Sequence, residues 1–167
     1  MEIQSIPSFL KYWARIRERT TRVVHLIPEE HMEWTYREGK FTLGDLVRHI
    51  AALERYMFAE NFLGRPSSYP GCGVELASGR SEILEFYGRM KDETVEIIES
   101  LPDSRLQENC ETPGGTQLKV WKWMRAMVEH EIHHRGQIYL YLGLLELPTP
   151  PLYGLTAEEV FERSSND

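Results

Sequence analysis

A proline-free run from Leu118 to Leu147 constrains this chain more than any other stretch. Its apolar residues recur at helical spacing, and at about 100° per residue it reads as one long helix. Trp123, Met127, His130, His134, Ile138 and Tyr141 then share one stripe. The run also holds three of the chain's six histidines, His130, His133 and His134. Side chains at i and i+4 are neighbours on a helix, so the imidazoles of His130 and His134 can reach one point. His133 points about 80° away from the middle of that pair. Two inward histidines on an apolar stripe fit hydrogen-bonded core residues and metal ligands equally well, and a third ligand is needed to separate the two.

The remaining chain supplies three more amphipathic helices. Ser8 to Ile27 carries Phe9, Trp13, Ile16, Thr20, Val23 and Ile27 at spacings of three and four, and Pro28 ends it. A connector follows, with Trp34 and Tyr36 as packed lids and Gly39 in a turn. Thr42 opens a second helix. A hydroxyl there and an acid at Asp45 resemble a capping box, and the helix runs to about Leu63 with Leu43, Leu46, Val47, Ile50, Leu53 and Met57 inward. His49 borders that stripe, and Asp45 one turn earlier can orient its ring. Residues 65–79 read as a loop. A third helix spans Ser81 to about Leu101, where Pro102 stops it. Pro113-Gly114-Gly115 marks a turn, with a short irregular hairpin around it. After the central run, Thr156 and Glu159 form a second capping box that opens a short last helix through about Arg163. Gly136 and Gly143 inside the central run each cost about 1 kcal/mol against alanine, which close approach of a neighbouring helix would explain. With no convincing strand run, the fold class is all-α: a single domain over residues 1–167, built as a four-helix bundle with a short C-terminal helix. The long loop after the second helix leaves a simple up-down-up-down order open.

Composition narrows the setting. The 167 residues carry 41% apolar and 27% charged side chains, a soluble globular balance. The net charge is −7 and the basic residues are scattered, which argues against nucleic acid. No segment has the length of an apolar membrane span, and no leader is visible at the N-terminus. The two cysteines, Cys72 and Cys110, give no disulfide framework and suit a reducing compartment, so the expected location is cytoplasmic.

His25 falls off the first helix's stripe and His31 lies in a connector, which leaves His49 as the remaining histidine on a core-facing helix. His49, His130 and His134 can close three corners of a metal site with a fourth position open, the form of catalytic zinc. A rival pattern overlaps it. His130-Glu131-Ile132-His133-His134 matches the H-E-x-x-H of zinc proteases, in which Glu131 would be the general base. The context argues against a protease: Gln137 and Leu140 stand where the extended motif needs Gly and His. A di-iron bundle needs a second E-x-x-H, which the chain lacks. Cys72, between two glycines, reads as an ordinary loop cysteine with no base fixed nearby. Arg135 is expected to pair on the bundle surface with Glu131, and Gln137 either to support a ligand or to form a polar rim. Trp123 and Tyr141 read as core.

Two segments, Leu46-Val47-Arg48-His49-Ile50-Ala51-Ala52-Leu53-Glu54 and His130-Glu131-Ile132-His133-His134-Arg135-Gly136-Gln137, resemble the DinB/YfiT-like family of bacterial bundle proteins. Trp34 and the Pro-Pro-Leu-Tyr-Gly tail also look similar, so the resemblance spans nearly the whole chain. It implies a divalent metal, zinc or nickel, held by His49, His130 and His134, and a homodimer. It further implies an enzyme acting on a small-molecule substrate, with transfer of a low-molecular-weight thiol such as bacillithiol or mycothiol to an electrophile as the first expectation. A metal-dependent hydrolase using Glu131, or a non-catalytic metal-binding stress protein, are the alternatives. Neutral imidazole ligands suit thiol transfer, because they leave the metal its full positive charge to favour a bound thiolate.

Overall fold

The structure, a computed structural model, describes residues 2–165. Four long helices form the body. α1 is Ile6–Val24, two residues earlier at its start than the sequence pattern suggests. Ser5 caps it by accepting from the Ser8 N–H, and Pro7 sits in the first turn, where its missing N–H costs nothing. Its last residues tighten into i→i+3 turns, Leu26 N to Val23 O and Ile27 N to Val24 O, as the chain approaches Pro28. α2 opens at Leu43 with the expected capping box: Asp45 N–H donates to Thr42 Oγ1 at 2.9 Å and Thr42 N–H to Asp45 Oδ2 at 2.9 Å. It runs as an α-helix through Leu53, widens into a π-helical turn over Glu54–Ala59, and closes with Glu60–Phe62. Gly44 is required here. The connector passes so close that a Cβ would lie 3.0 Å from the Met32 carbonyl oxygen.

α3 is Gly79–Glu99, with Ser78 rather than Ser81 at its N-cap. Its first turn is capped from a distance, by Glu29, which accepts from the Arg80 N–H at 3.0 Å. The Arg80 side chain returns the favour to the end of α1, donating to Ile27 O and His25 O. The expected hairpin is present as two short antiparallel strands, β1 (Asn109–Glu111) and β2 (Gln117–Lys119), with Cys110 opposite Leu118. These strands take the first residues of the central run, so α4 begins at Val120 and ends at Leu144. A short α5, Ala157–Ser164, carries the second capping box and buries none of its side chains.

In the bundle, α1 packs on α4 and α3, and α2 packs on α3 and α4. The order around the ring is therefore α1, α4, α2, α3, with α1 diagonal to α2. The all-α four-helix bundle with its short C-terminal helix stands as expected. The interior has two apolar lobes. One gathers Val23, Ile27, Leu46, Ile50, Ile83, Met90, Ile138 and Leu142; the other gathers Phe9, Trp13, Phe58, Phe62, Ile98, Met124 and Met127. In sequence the two sets meet on every helix at a buried polar residue: Arg17 and Thr20 on α1, Glu54 on α2, Thr94 on α3, Glu131 and Arg135 on α4. A polar waist thus divides the core. Arg17 is its hub. It pairs with Glu54, lies 3.5 Å from Glu131, and is flanked by the rings of Trp13 and Tyr87. Pairing is what makes this tolerable, since removing one partner of a buried ion pair costs about 3–5 kcal/mol.

Candidate metal centre

α2 and α4 are neighbours, and their facing sides bring His49, His130 and His134 together. One ring nitrogen from each lies within 4.8 Å of the others. Nε2 of His49 and Nε2 of His130 are 3.2 Å apart. Two nitrogens bound tetrahedrally at zinc distances sit about 3.3 Å apart, from Zn–N of about 2.0–2.1 Å. The spacing therefore fits a shared ion. The donor set, imidazole throughout, suits zinc, nickel or copper better than magnesium or calcium, which take oxygen.

The far nitrogens differ. His49 Nδ1 lies 2.7 Å from the Tyr69 hydroxyl, and His134 Nδ1 lies 2.7 Å from Gln137 Oε1. His130 Nδ1 is buried with no hydrogen-bond partner. A partner on Nδ1 leaves Nε2 as the nitrogen free to ligate. Burial first, and then the neighbouring His134 ring, pushes His49 down to about 4. The same causes, with His49 added, push His130 to about 3, and burial also lowers His134. All three rings are thus neutral at physiological pH, the form that binds metal.

Aromatic side chains wall the cluster. Phe58 stands 5.9 Å from the His130 ring, and Phe41 stands 5.0 Å from His49 and 6.4 Å from His134. Phe41 is 39% exposed and marks the mouth. Such a shell limits water and lowers the local dielectric.

Other expected residues fall elsewhere. His133 is exposed on α4, its ring against His134, and is not one of the converging group. His25 is exposed and His31 is half-buried in its connector. Glu131 is fully buried and faces α1, where its carboxylate accepts from Trp13 Nε1 at 2.9 Å. Arg135 is buried rather than at the surface and donates to Ile16 O, because its side of α4 also packs on α1. Asp45 does not orient His49. Its carboxylate is used by the Thr42 N–H and by Arg48. Tyr69 takes that place, from a loop in which nothing but an aromatic ring among small residues distinguishes it in sequence. Tyr69 also lies beside the Cys72 thiol, and burial raises both groups above their usual ranges, so the thiol is not activated. Trp123 is a packing residue as expected, its ring 4.6 Å from Phe58 and its Nε1 donating to Asn61. Gly136 and Gly143 have open space where a side chain would go, so no neighbour within the chain accounts for them.

Comparison with known proteins agrees with this architecture. The sequence profile of the DinB superfamily matches residues 12–138. YrdA of Bacillus subtilis (strain 168) is 22% identical over 160 residues, covering 93% of this chain and 92% of that protein. YjoA of the same strain is 25% identical over 151 residues, covering 87% of this chain and 93% of YjoA. Among solved structures, a DinB-like protein from Bacillus cereus ATCC 10987 superposes with a TM-score of 0.74 at 21% identity, over 89% of this chain and 97% of that one. The YjoA structure gives 0.70 at 20% identity, over 88% and 97%. The profile covers well over half of the chain, and the chain belongs to the DinB superfamily.

Proposed function

We propose that this protein binds a divalent metal, zinc or nickel, through His49, His130 and His134, and uses it to join a low-molecular-weight thiol to a small electrophile. The observation that carries the reading is the convergence of three neutral imidazoles, with the nearest carboxylate in sequence, Glu131, turned toward α1. A metal held by neutral ligands keeps its positive charge and favours a thiolate over a thiol. The rest falls to the chain. His49 and His134 each have an oxygen partner at Nδ1, Tyr69 and Gln137, which leaves both Nε2 atoms free for the ion. Phe41 and Phe58 stand against the His49 and His130 rings, where they would hold water back from a bound sulfur. In the overall reaction the thiol proton passes to solvent, sulfur forms a bond to the electrophilic carbon, and that carbon's leaving group departs with the bonding pair.

Hydrolysis would instead need a base for water, and Glu131 is engaged by Trp13 and Arg17. The test is turnover by protein whose metal content has been fixed by elemental analysis after tag-free purification. Zinc- or nickel-loaded protein is expected to accelerate attack of a small thiol on a model aryl halide. His130→Ala should lose the acceleration and Glu131→Gln should keep most of it. Ester or peptide cleavage that disappears with Glu131→Gln favours the hydrolase; full metal occupancy without turnover favours a binding protein.

A further inference from the structure

The loop over residues 64–78 is fastened to α2 on both sides of Tyr69, the side chain it sends to a metal-binding candidate. At one end Ser68 N–H donates to the Tyr56 carbonyl at 2.8 Å, in the π-helical turn of α2. At the other, the fully buried Arg48 donates from Nε to Cys72 O at 2.7 Å and from Nη1 to Ala77 O at 3.0 Å. Arg48 is itself held by Glu33 on the connector and by Asp45 one turn back. Tyr69 stands between these anchors, with its hydroxyl 2.7 Å from His49 Nδ1 and its ring edge-on to the imidazole at 5.7 Å between centroids. So α2 carries both the histidine and the fixtures on either side of the loop residue that touches it. The alternative orienting group, the Asp45 carboxylate, is occupied by Arg48 and the Thr42 N–H.

Resting on the metal reading above, we propose that Tyr69 is a positioning residue for the metal site: its hydroxyl oxygen accepts the His49 Nδ1 proton and so fixes the ring with Nε2 toward the ion. The hydroxyl's own proton is then free for the adjacent Cys72 sulfur, so both of its polar functions are used. His134 is held in the same way by Gln137, one turn further along its own helix. His130 has no such partner, and packing against Phe58 orients it instead. His49 depends on a side chain from outside the two ligand-bearing helices. Second partners of metal-bound imidazoles are commonly worth about 10- to 100-fold in affinity.

The test compares wild type with Tyr69→Phe, which keeps the ring and removes only the oxygen. Zinc and nickel dissociation constants are measured by competition with a chromophoric chelator. Nitrogen-correlated proton spectra of the zinc-loaded protein report the His49 Nδ1 proton. Expected are a weakening of about 10- to 100-fold in Tyr69→Phe, and a slowly exchanging His49 Nδ1 proton in the wild type that is lost to water exchange in the variant. The His134 Nδ1 proton should persist in both and report an intact fold. Equal metal affinity, or a His49 Nδ1 proton equally protected in Tyr69→Phe, overturns the positioning role while leaving the metal site standing. A wild-type chain that takes up no metal removes the metal reading and this inference together.

Discussion

Protonating His130 would place a positive charge in the interior beside two other imidazoles and close to Arg17. That is why its folded-state value lies near 3, and that of His49 near 4, against 6.5 for an ordinary histidine. The unfolded chain therefore takes up more protons than the folded one between about 6.5 and those values. The contribution of these two histidines to the stability of the metal-free protein is complete above that window and falls as pH drops through it. Urea midpoints measured in chelator from pH 7.5 downward should decrease, and His130→Leu should show a shallower decrease than wild type. Metal that binds only the folded state raises stability with its concentration. A chelator should accordingly lower the melting temperature of wild type and of His133→Ala, but leave that of His49→Ala, His130→Ala and His134→Ala unchanged. The three histidines were legible in sequence because helical phase alone puts His130 and His134 on one face and His49 on an inward-facing helix. Tyr69 was not, because the path of a loop is set by distant anchors such as Arg48 and not by local periodicity.

At the scale of an element, helix ends show where local signals suffice and where they do not. Both threonine capping boxes form as read, since every atom involved lies within four residues. α3 takes Ser78 as its N-cap and begins at Gly79, where Glu29, about fifty residues earlier, supplies the carboxylate to its first turn, which no local pattern announces. α4 closes in a Schellman turn: Leu147 N–H reaches Leu142 O at 3.0 Å and Glu146 N–H reaches Gly143 O at 3.1 Å. The residue that makes this turn is Glu146, at φ +57°, a left-handed conformation that disfavours any side chain. Glu146→Gly should relieve that strain and stabilise the protein by about 1 kcal/mol, read as a higher urea midpoint with an unchanged slope. A lower midpoint would show that the glutamate makes contacts worth more than the strain.

Across the whole molecule, the four apolar stripes were readable but the polar waist they share was not. Glu54, Arg17 and Glu131 look like ordinary surface charges until three helices are brought together, and only then do they become mutual partners. The α2 stripe also drifts. Leu53 and Met57, expected inside, are half-buried, while Glu54, Phe58 and Phe62 are inside. The cause is the π-helical turn at Glu54–Ala59, which lets the inward face advance by one residue. That turn is a stored insertion. It holds one residue that an α-helical path between the same two ends would not need, so the chain can lose a residue there and still deliver Phe62 to the same lobe. Anywhere else in a packed helix the same loss turns every later side chain by about 100°. Deleting Met57 should therefore lower the melting temperature far less than deleting Arg89 from the middle of α3, although the two deletions shorten the protein equally. In this respect α2 carries a site of length tolerance inside its own core.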